Sequence, residues 1–105
     1  MTTQLMSNRD QRARDVIEAV IRDALQSPAP ESIYFSAHDN HSGEPSLYVY
    51  VTMPEERFIP DIAAQNRLSG ALLTALQLLD DERFPYVYYG PREAFQQFGQ
   101  IRVGE

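Results

Sequence analysis

The apolar residues near the start of the chain recur at the three- and four-residue spacing of an amphipathic helix. Ser7 precedes Asp10 by three residues, which resembles a capping box at a helix start. Pro28 and Pro30 end the pattern, because proline has no N–H to donate and disfavours helix before it. We therefore predict a helix over residues 8–26, with an apolar side formed by Ala13, Val16, Ile17, Val20, Ala24 and Leu25.

A second helical pattern begins near Pro60, a residue suited to a first helical turn, and runs to about residue 79. Gly70 lies in its middle, where glycine costs about 1 kcal/mol relative to alanine. We therefore expect close packing against a neighbour at Gly70. The three acidic residues at positions 80–82 then predict a solvated loop.

Three shorter segments alternate in polarity with the period of two that is typical of strands, at residues 33–38, 47–53 and 84–89. The polar residues 39–45 predict a turn between the first two strands, which makes an antiparallel hairpin. A short helix through Phe95 and Phe98 and an edge strand near residues 101–103 are expected to follow. Residues 1–6 lack periodicity and predict a loose arm.

The order of these elements, α-β-β-α-β, predicts an α+β fold and one domain over residues 1–105. In that fold two helices pack on one face of a three- or four-stranded mixed sheet. The strands carry aliphatic residues at alternate positions, so we expect the helices to cover the aliphatic side. The opposite side then presents five of the six tyrosines of the chain, namely Tyr34, Tyr48, Tyr50, Tyr86 and Tyr88.

This tyrosine side has three interpretations. Tyrosine is a common strand residue whose hydroxyl can point to water. The segment that holds Phe95 and Phe98 could fold back over it. A contiguous aromatic surface also marks protein interfaces, and two copies facing each other would place Tyr48 and Tyr50 near the centre.

Composition excludes several chemistries. The chain has no cysteine and no lysine, which excludes disulfides, thiolate nucleophiles, Schiff bases and the lysine of a phosphate-binding loop. The net charge is −6, and the acidic excess falls in residues 31–90. Since phosphate backbones are bound by clustered basic residues, we expect no direct nucleic-acid partner. We also expect no membrane contact and a cytoplasmic location, since no signal peptide or long apolar segment stands out.

No candidate catalytic or cofactor site emerges from the residue patterns. His38, Asp39, His41 and Glu44 have the residue types of a metal site, but two histidines in one turn match no known ligand spacing. The acidic pairs and triplets, Glu55–Glu56 and residues 80–82, lack the apolar surroundings that would separate two carboxyl pKa values. We predict no catalytic residue, no metal and no cofactor.

From Ala13 to Phe95 the chain resembles the minimal nucleotidyltransferase fold in its order of elements. Ser36, at the end of the first predicted strand, matches the serine of the glycine-serine pair that opens the loop after the first strand of that family. Tyr48 and Tyr50 stand where its paired metal-binding aspartates would fall, and Phe35 replaces its glycine. The resemblance therefore implies a relative without catalytic activity, because the transfer reaction of the family needs metal-held oxygens.

The sequence favours a small, acidic, non-enzymatic interaction or regulatory domain. We expect its tyrosine side to be buried against a second copy, as in a homodimer, or against another protein partner. One alternative is a catalytically dead nucleotidyltransferase-like domain that still binds a nucleotide. A second alternative is an acidic inhibitor that occupies the basic surface of a nucleic-acid-binding protein.

Overall fold

A computed structural model describes residues 7–91. It contains the helices α1 (Asn8–Ala24) and α2 (Ile62–Gln77), the strands β1 (Ser32–Asp39), β2 (Pro45–Thr52) and β3 (Phe84–Gly90), and a 3-10 turn at Glu56–Phe58. The order α-β-β-α-β and the α+β class are confirmed. The predicted N-terminal arm, the helix through Phe95 and Phe98 and the strand near residues 101–103 lie outside the described residues. None of the helices in residues 7–91 is long and apolar enough to cross a membrane.

Side-chain caps start both helices. The backbone N–H of Asp10 donates to the Ser7 hydroxyl at 3.1 Å, which confirms the predicted cap of α1. In α2 the N–H of Ala64 donates to the Asp61 carboxylate at 2.8 Å, so the helix begins just after the predicted Pro60. Each cap satisfies a backbone donor that has no partner within its own helix.

The three strands form a mixed sheet in the order β1-β2-β3. β1 pairs antiparallel with β2 through the turn at residues 40–44, and β3 pairs parallel with β2 after the α2 crossover. β2 is therefore the central strand, and β1 and β3 flank it. Because of this order, the side chains of β2 have neighbouring side chains from β1 on one side and from β3 on the other.

The core lies between one face of the sheet and the two helices. The central strand contributes Leu47, Val49 and Val51, each with no exposed surface. These residues pack against one stripe from each helix, formed by Ala13, Ile17, Ile21, Leu68, Leu72 and Leu76. Burial of this apolar surface is the main favourable contribution to folding, and it leaves the tyrosine side facing away from the helices.

Two local expectations from the sequence are wrong. A Cβ added at Gly70 would meet no atom within 4 Å, so this glycine is not required by close packing. Asp81 is not a solvated loop residue, because only 4% of it is exposed. Its burial has a specific partner in Arg83, which is itself 8% exposed.

Arg83 and Asp81 are the centre of a buried ion cluster. The Arg83 guanidinium donates to Asp81 through Nε at 2.9 Å and Nη2 at 2.7 Å, and through Nη1 to Asp10 of the first turn of α1. Arg9 adds a longer bond to Asp81 at 3.2 Å. The cluster therefore joins the start of α1 to the loop that leads into β3.

Candidate interaction surface

The pairing register assembles the sheet face opposite the helices into four rows of three residues. From one end to the other the rows are Ser32–Thr52–Gly90, Tyr34–Tyr50–Tyr88, Ser36–Tyr48–Tyr86 and His38–Ser46–Phe84. These twelve positions are called the aromatic face below. The register thus brings all five predicted tyrosines together, and none of the twelve residues is a carboxylate or a guanidinium.

Three rings of the aromatic face stack in a line across the strands. The rings of His38 and Tyr48 lie 4.4 Å apart and nearly parallel, and those of Tyr48 and Tyr86 lie 5.2 Å apart. Phe84 meets Tyr86 edge to face at 4.8 Å. Offset and edge contacts of this kind stabilise aromatic pairs beyond the area they bury. The central ring, Tyr48, therefore packs against His38 on one side and Tyr86 on the other.

Exposure differs sharply between the central strand and its neighbours. Tyr48 and Tyr50 of β2 are only 6% and 5% exposed. The rings on the flanking strands are far more open, with exposed fractions of 37% for Tyr34, 46% for Phe84 and 38% for Tyr88. The apolar area that a partner could cover is therefore concentrated along β1 and β3.

Phe84 is a member of the aromatic face that the sequence-based selection of residues missed. It lies two positions before Tyr86 on the same strand and hence on the same side. Extending the alternation by one step toward the start of β3 would have identified it. His38, which the sequence offers as a residue of metal-site type, stacks its ring on Tyr48 instead.

Tyr48, Tyr50 and Tyr88 of the face remain neutral at pH 7. Burial raises the pKa of Tyr48, Tyr50 and Tyr88 above that of a solvated phenol, and neighbouring tyrosines raise the pKa of Tyr48 and Tyr88 further. Each hydroxyl therefore keeps its proton. Tyr50 uses its own to donate to the carbonyl oxygen of Pro91 at 3.3 Å.

A shallow depression of about 400 Å³ adjoins the aromatic face beside Phe84 and Tyr86. Its far wall is the turn after β1, which the Asn40 side chain organises. The side-chain oxygen Oδ1 of Asn40 accepts from the backbone N–H groups of Ser42 and Glu44 at 2.9 and 3.0 Å. The side-chain nitrogen Nδ2 of Asn40 lies 3.4 Å from the Tyr86 hydroxyl. This turn places exposed carboxylates at the rim of the face rather than within it.

Residues 7–91 contain no group of three or more His, Cys, Asp or Glu side chains that could hold a metal ion. The candidate residues of the turn have other contacts. His38 Nδ1 lies 3.2 Å from the carbonyl oxygen of Asp39, and Glu44 accepts from the Asn40 amide at 3.3 Å. The structure does not bring His38, His41 and Glu44 together as a ligand set.

The sixth tyrosine, Tyr89, lies on the helix side, and burial raises its pKa to about 12. Its buried hydroxyl has no hydrogen-bond partner. Tyr89→Phe should therefore raise the free energy of unfolding by about 1 kcal/mol at pH 7, because an unsatisfied buried hydroxyl is costly. The wild type should also lose stability as the pH rises above 10, where the unfolded phenol ionises and the folded one does not.

Urea titrations of wild type and Tyr89→Phe at pH 7, 9 and 10.5 measure both effects. Tyr34→Phe is the matched control, since it removes a hydroxyl from an exposed ring. A Tyr89→Phe protein that is less stable than wild type at pH 7 would contradict the prediction.

No family model, curated protein or solved structure matches this chain.

Proposed function

We propose that this chain is a non-enzymatic interaction domain that self-associates through the aromatic face. The observation that carries the proposal is the composition of that face, which has seven rings and no carboxylate or guanidinium among its twelve positions. Four of these residues are more than one third exposed, namely Tyr34, His38, Phe84 and Tyr88. Contiguous exposed aromatic surface bounded by polar residues is typical of protein interfaces.

Charge favours a second copy of the chain as the occupant of the face. Each copy has a net charge of −6, so two copies repel each other wherever their carboxylates meet. The aromatic face is a surface on which two copies can meet without apposing like charges. Asp39, Glu44 and Glu82 lie outside it, at its rim. Added salt screens the repulsion between the rims, so self-association should tighten as ionic strength rises.

The two alternative functions have less support from the geometry. Nucleotide binding in the manner of a nucleotidyltransferase would draw on the positions of Tyr48 and Tyr50, whose rings are packed within the domain. An acidic inhibitor would hold a basic partner through surface carboxylates, and such a complex weakens as salt rises. The direction of the salt effect therefore separates self-association from inhibition.

The test is the double substitution Phe84→Ser/Tyr88→Ser on β3. Both rings are exposed, so their loss should leave the fold intact. Truncation of an aromatic anchor costs roughly 2 kcal/mol or more, and a two-fold contact loses each ring twice. We expect the mass of the assembly to halve in sedimentation velocity, with a dissociation constant raised about 1000-fold or more.

The matched control is Ile62→Ser/Leu78→Ser, which removes two apolar side chains that are 71% and 83% exposed at the two ends of α2. This variant should sediment as the wild type does. A wild-type protein that remains monomeric at high micromolar concentration, in low and in high salt, would overturn the proposal.

A further inference from the structure

Among residues 7–91, β1 and β3 are the outer strands of the sheet, and they differ in the residues that discourage pairing with another strand. β3 has Pro85 as its second residue, and proline cannot donate to a neighbouring strand. β1 has no proline over its eight residues, and Asp39 at its end is its one charged residue. Natural edge strands usually carry proline, lysine or a bulge that discourages pairing. β1 therefore has neither a proline nor a lysine to discourage pairing.

Along β1, every second residue forms its backbone hydrogen bonds with β2, and the residues between them point their N–H and C=O groups away from β2. Asn40 N–H donates to the carbonyl oxygen of Glu44 at 2.9 Å, and Thr52 directs its carbonyl oxygen toward β1. In an antiparallel pair this assigns the even-numbered residues of β1 to the bonds with β2. The outward-pointing N–H and C=O groups therefore belong to Ile33, Phe35, Ala37 and Asp39.

The helix layer also stops short of β1. Ile33, Phe35 and Ala37 face the helices but are only partly buried, whereas the facing residues of β2 have no exposed surface. An additional strand and its own helix layer beside β1 would cover the remaining apolar surface. Both the backbone and the side chains of β1 thus favour an added strand.

We propose that β1 of a second copy pairs antiparallel with β1, which joins two sheets into one of six strands. This contact is separate from the aromatic face, and it depends on the proposed function only in that both bind another copy. A two-fold axis at Ser36 fits the side chains. Tyr34 then lies opposite His38 of the second copy, and Phe35 lies opposite Ala37.

This register also avoids like charges along the paired strands. Asp39, the charged residue of β1, lies opposite Ile33 of the second copy rather than opposite an acid. The pairing exchanges hydrogen bonds among the outward groups of Ile33, Phe35, Ala37 and Asp39. Two separate two-fold contacts, one on the face and one at β1, close a tetramer when their axes cross at right angles.

Ala37→Pro tests the β1 contact, because it removes an outward N–H without removing a bond between β1 and β2. Ala37→Gly is the matched control that keeps the N–H. We expect Ala37→Pro to halve the mass of the wild-type assembly and to raise the dissociation constant about 100-fold, with Ala37→Gly close to wild type. In the Phe84→Ser/Tyr88→Ser background, Ala37→Pro should yield a monomer.

Hydrogen exchange on the wild type gives a second measurement if Ala37→Pro fails to fold. The amides of Phe35 and Ala37 should be protected at high protein concentration and should exchange faster on dilution. Protection that does not change with concentration, or no protection at any concentration, overturns the proposal. If only Phe84→Ser/Tyr88→Ser halves the mass, the face contact stands and the β1 contact fails. If only Ala37→Pro halves the mass, the β1 contact stands and the face contact fails.

Discussion

Asp81→Ala is expected to lower the free energy of unfolding by about 3–5 kcal/mol at pH 7. The substitution leaves the Arg83 guanidinium buried with Asp10 as its remaining acidic partner. Removing one member of a buried ion pair costs this much because the other charge stays desolvated, and here Arg83 keeps only Asp10 of its two carboxylate partners. Urea unfolding followed by circular dichroism measures the change. For a domain with a total stability of about 5–15 kcal/mol, the loss is large.

Glu82→Ala is the control for this experiment, since Glu82 is the exposed neighbour of Asp81 and should change stability by less than about 0.5 kcal/mol. An Asp81→Ala protein as stable as Glu82→Ala would mean that the ion cluster contributes nothing net. The double variant Asp81→Ala/Arg83→Met separates the two effects. It should recover much of the loss, because it removes the uncompensated charge.

The same cluster predicts that the free energy of unfolding depends on pH in the acidic range. Hydrogen bonds from the Arg83 side chain hold the pKa of Asp81 below its usual value of 3.8, against the opposing effect of burial. The folded state therefore binds this proton less readily than the unfolded state does. The contribution of Asp81 is fully present well above pH 4 and is lost as the pH falls through the folded pKa. Stability should decline less between pH 5 and 2 in Asp81→Ala than in the wild type.

The double substitution Tyr48→Ala/Tyr50→Ala is expected to unfold the domain or nearly so. Both rings are buried in the single chain, and truncating a buried aromatic ring to alanine costs about 3–5 kcal/mol. The combined loss approaches the total stability of a small domain. At about 4–8 °C per kcal/mol, the melting temperature should fall by at least about 25 °C. Thermal unfolding followed by circular dichroism measures this change.

Tyr48→Phe/Tyr50→Phe is the matched control, because it keeps both rings and removes the Tyr50 bond to Pro91. It should cost only about 1 kcal/mol per lost hydrogen bond. A Tyr48→Ala/Tyr50→Ala protein that melts near the wild-type temperature would mean that the stacked rings contribute little. The expected result also means that a loss of association in this variant would not identify the interface. The Phe84→Ser/Tyr88→Ser variant is the better test of the interface, because it removes exposed rather than buried rings.

Periodicity in the sequence was sufficient to predict the α+β class and the order of the elements. The helical spacing and the alternation in the strands each reflect which side of an element is buried, and that side is a local property of the sequence. The composition of the aromatic face followed from the same alternation. The degree of burial did not, because Tyr48 and Tyr50 lie on β2, and the alternation does not show that β2 is the central strand. Strand order is a property of the whole fold that no single segment encodes.

The buried ion cluster shows a second limit of the sequence. Asp81 stands between two acidic residues, and such a triplet is normally solvated. Its burial depends on Arg83 nearby and on Asp10 and Arg9, which are more than 70 residues away along the chain. No local pattern indicates that these groups meet. Long-range charge pairing therefore has to be read from the structure.

The placement of the tyrosines gives this protein an optical property. The chain has no tryptophan, so tyrosine dominates its near-ultraviolet absorption and emission. Five of its six tyrosines lie on the aromatic face, and two of them stack at 5.2 Å, close enough for energy to pass between the rings. The intrinsic fluorescence of the unlabelled protein is thus weighted toward the surface at which we place its contacts.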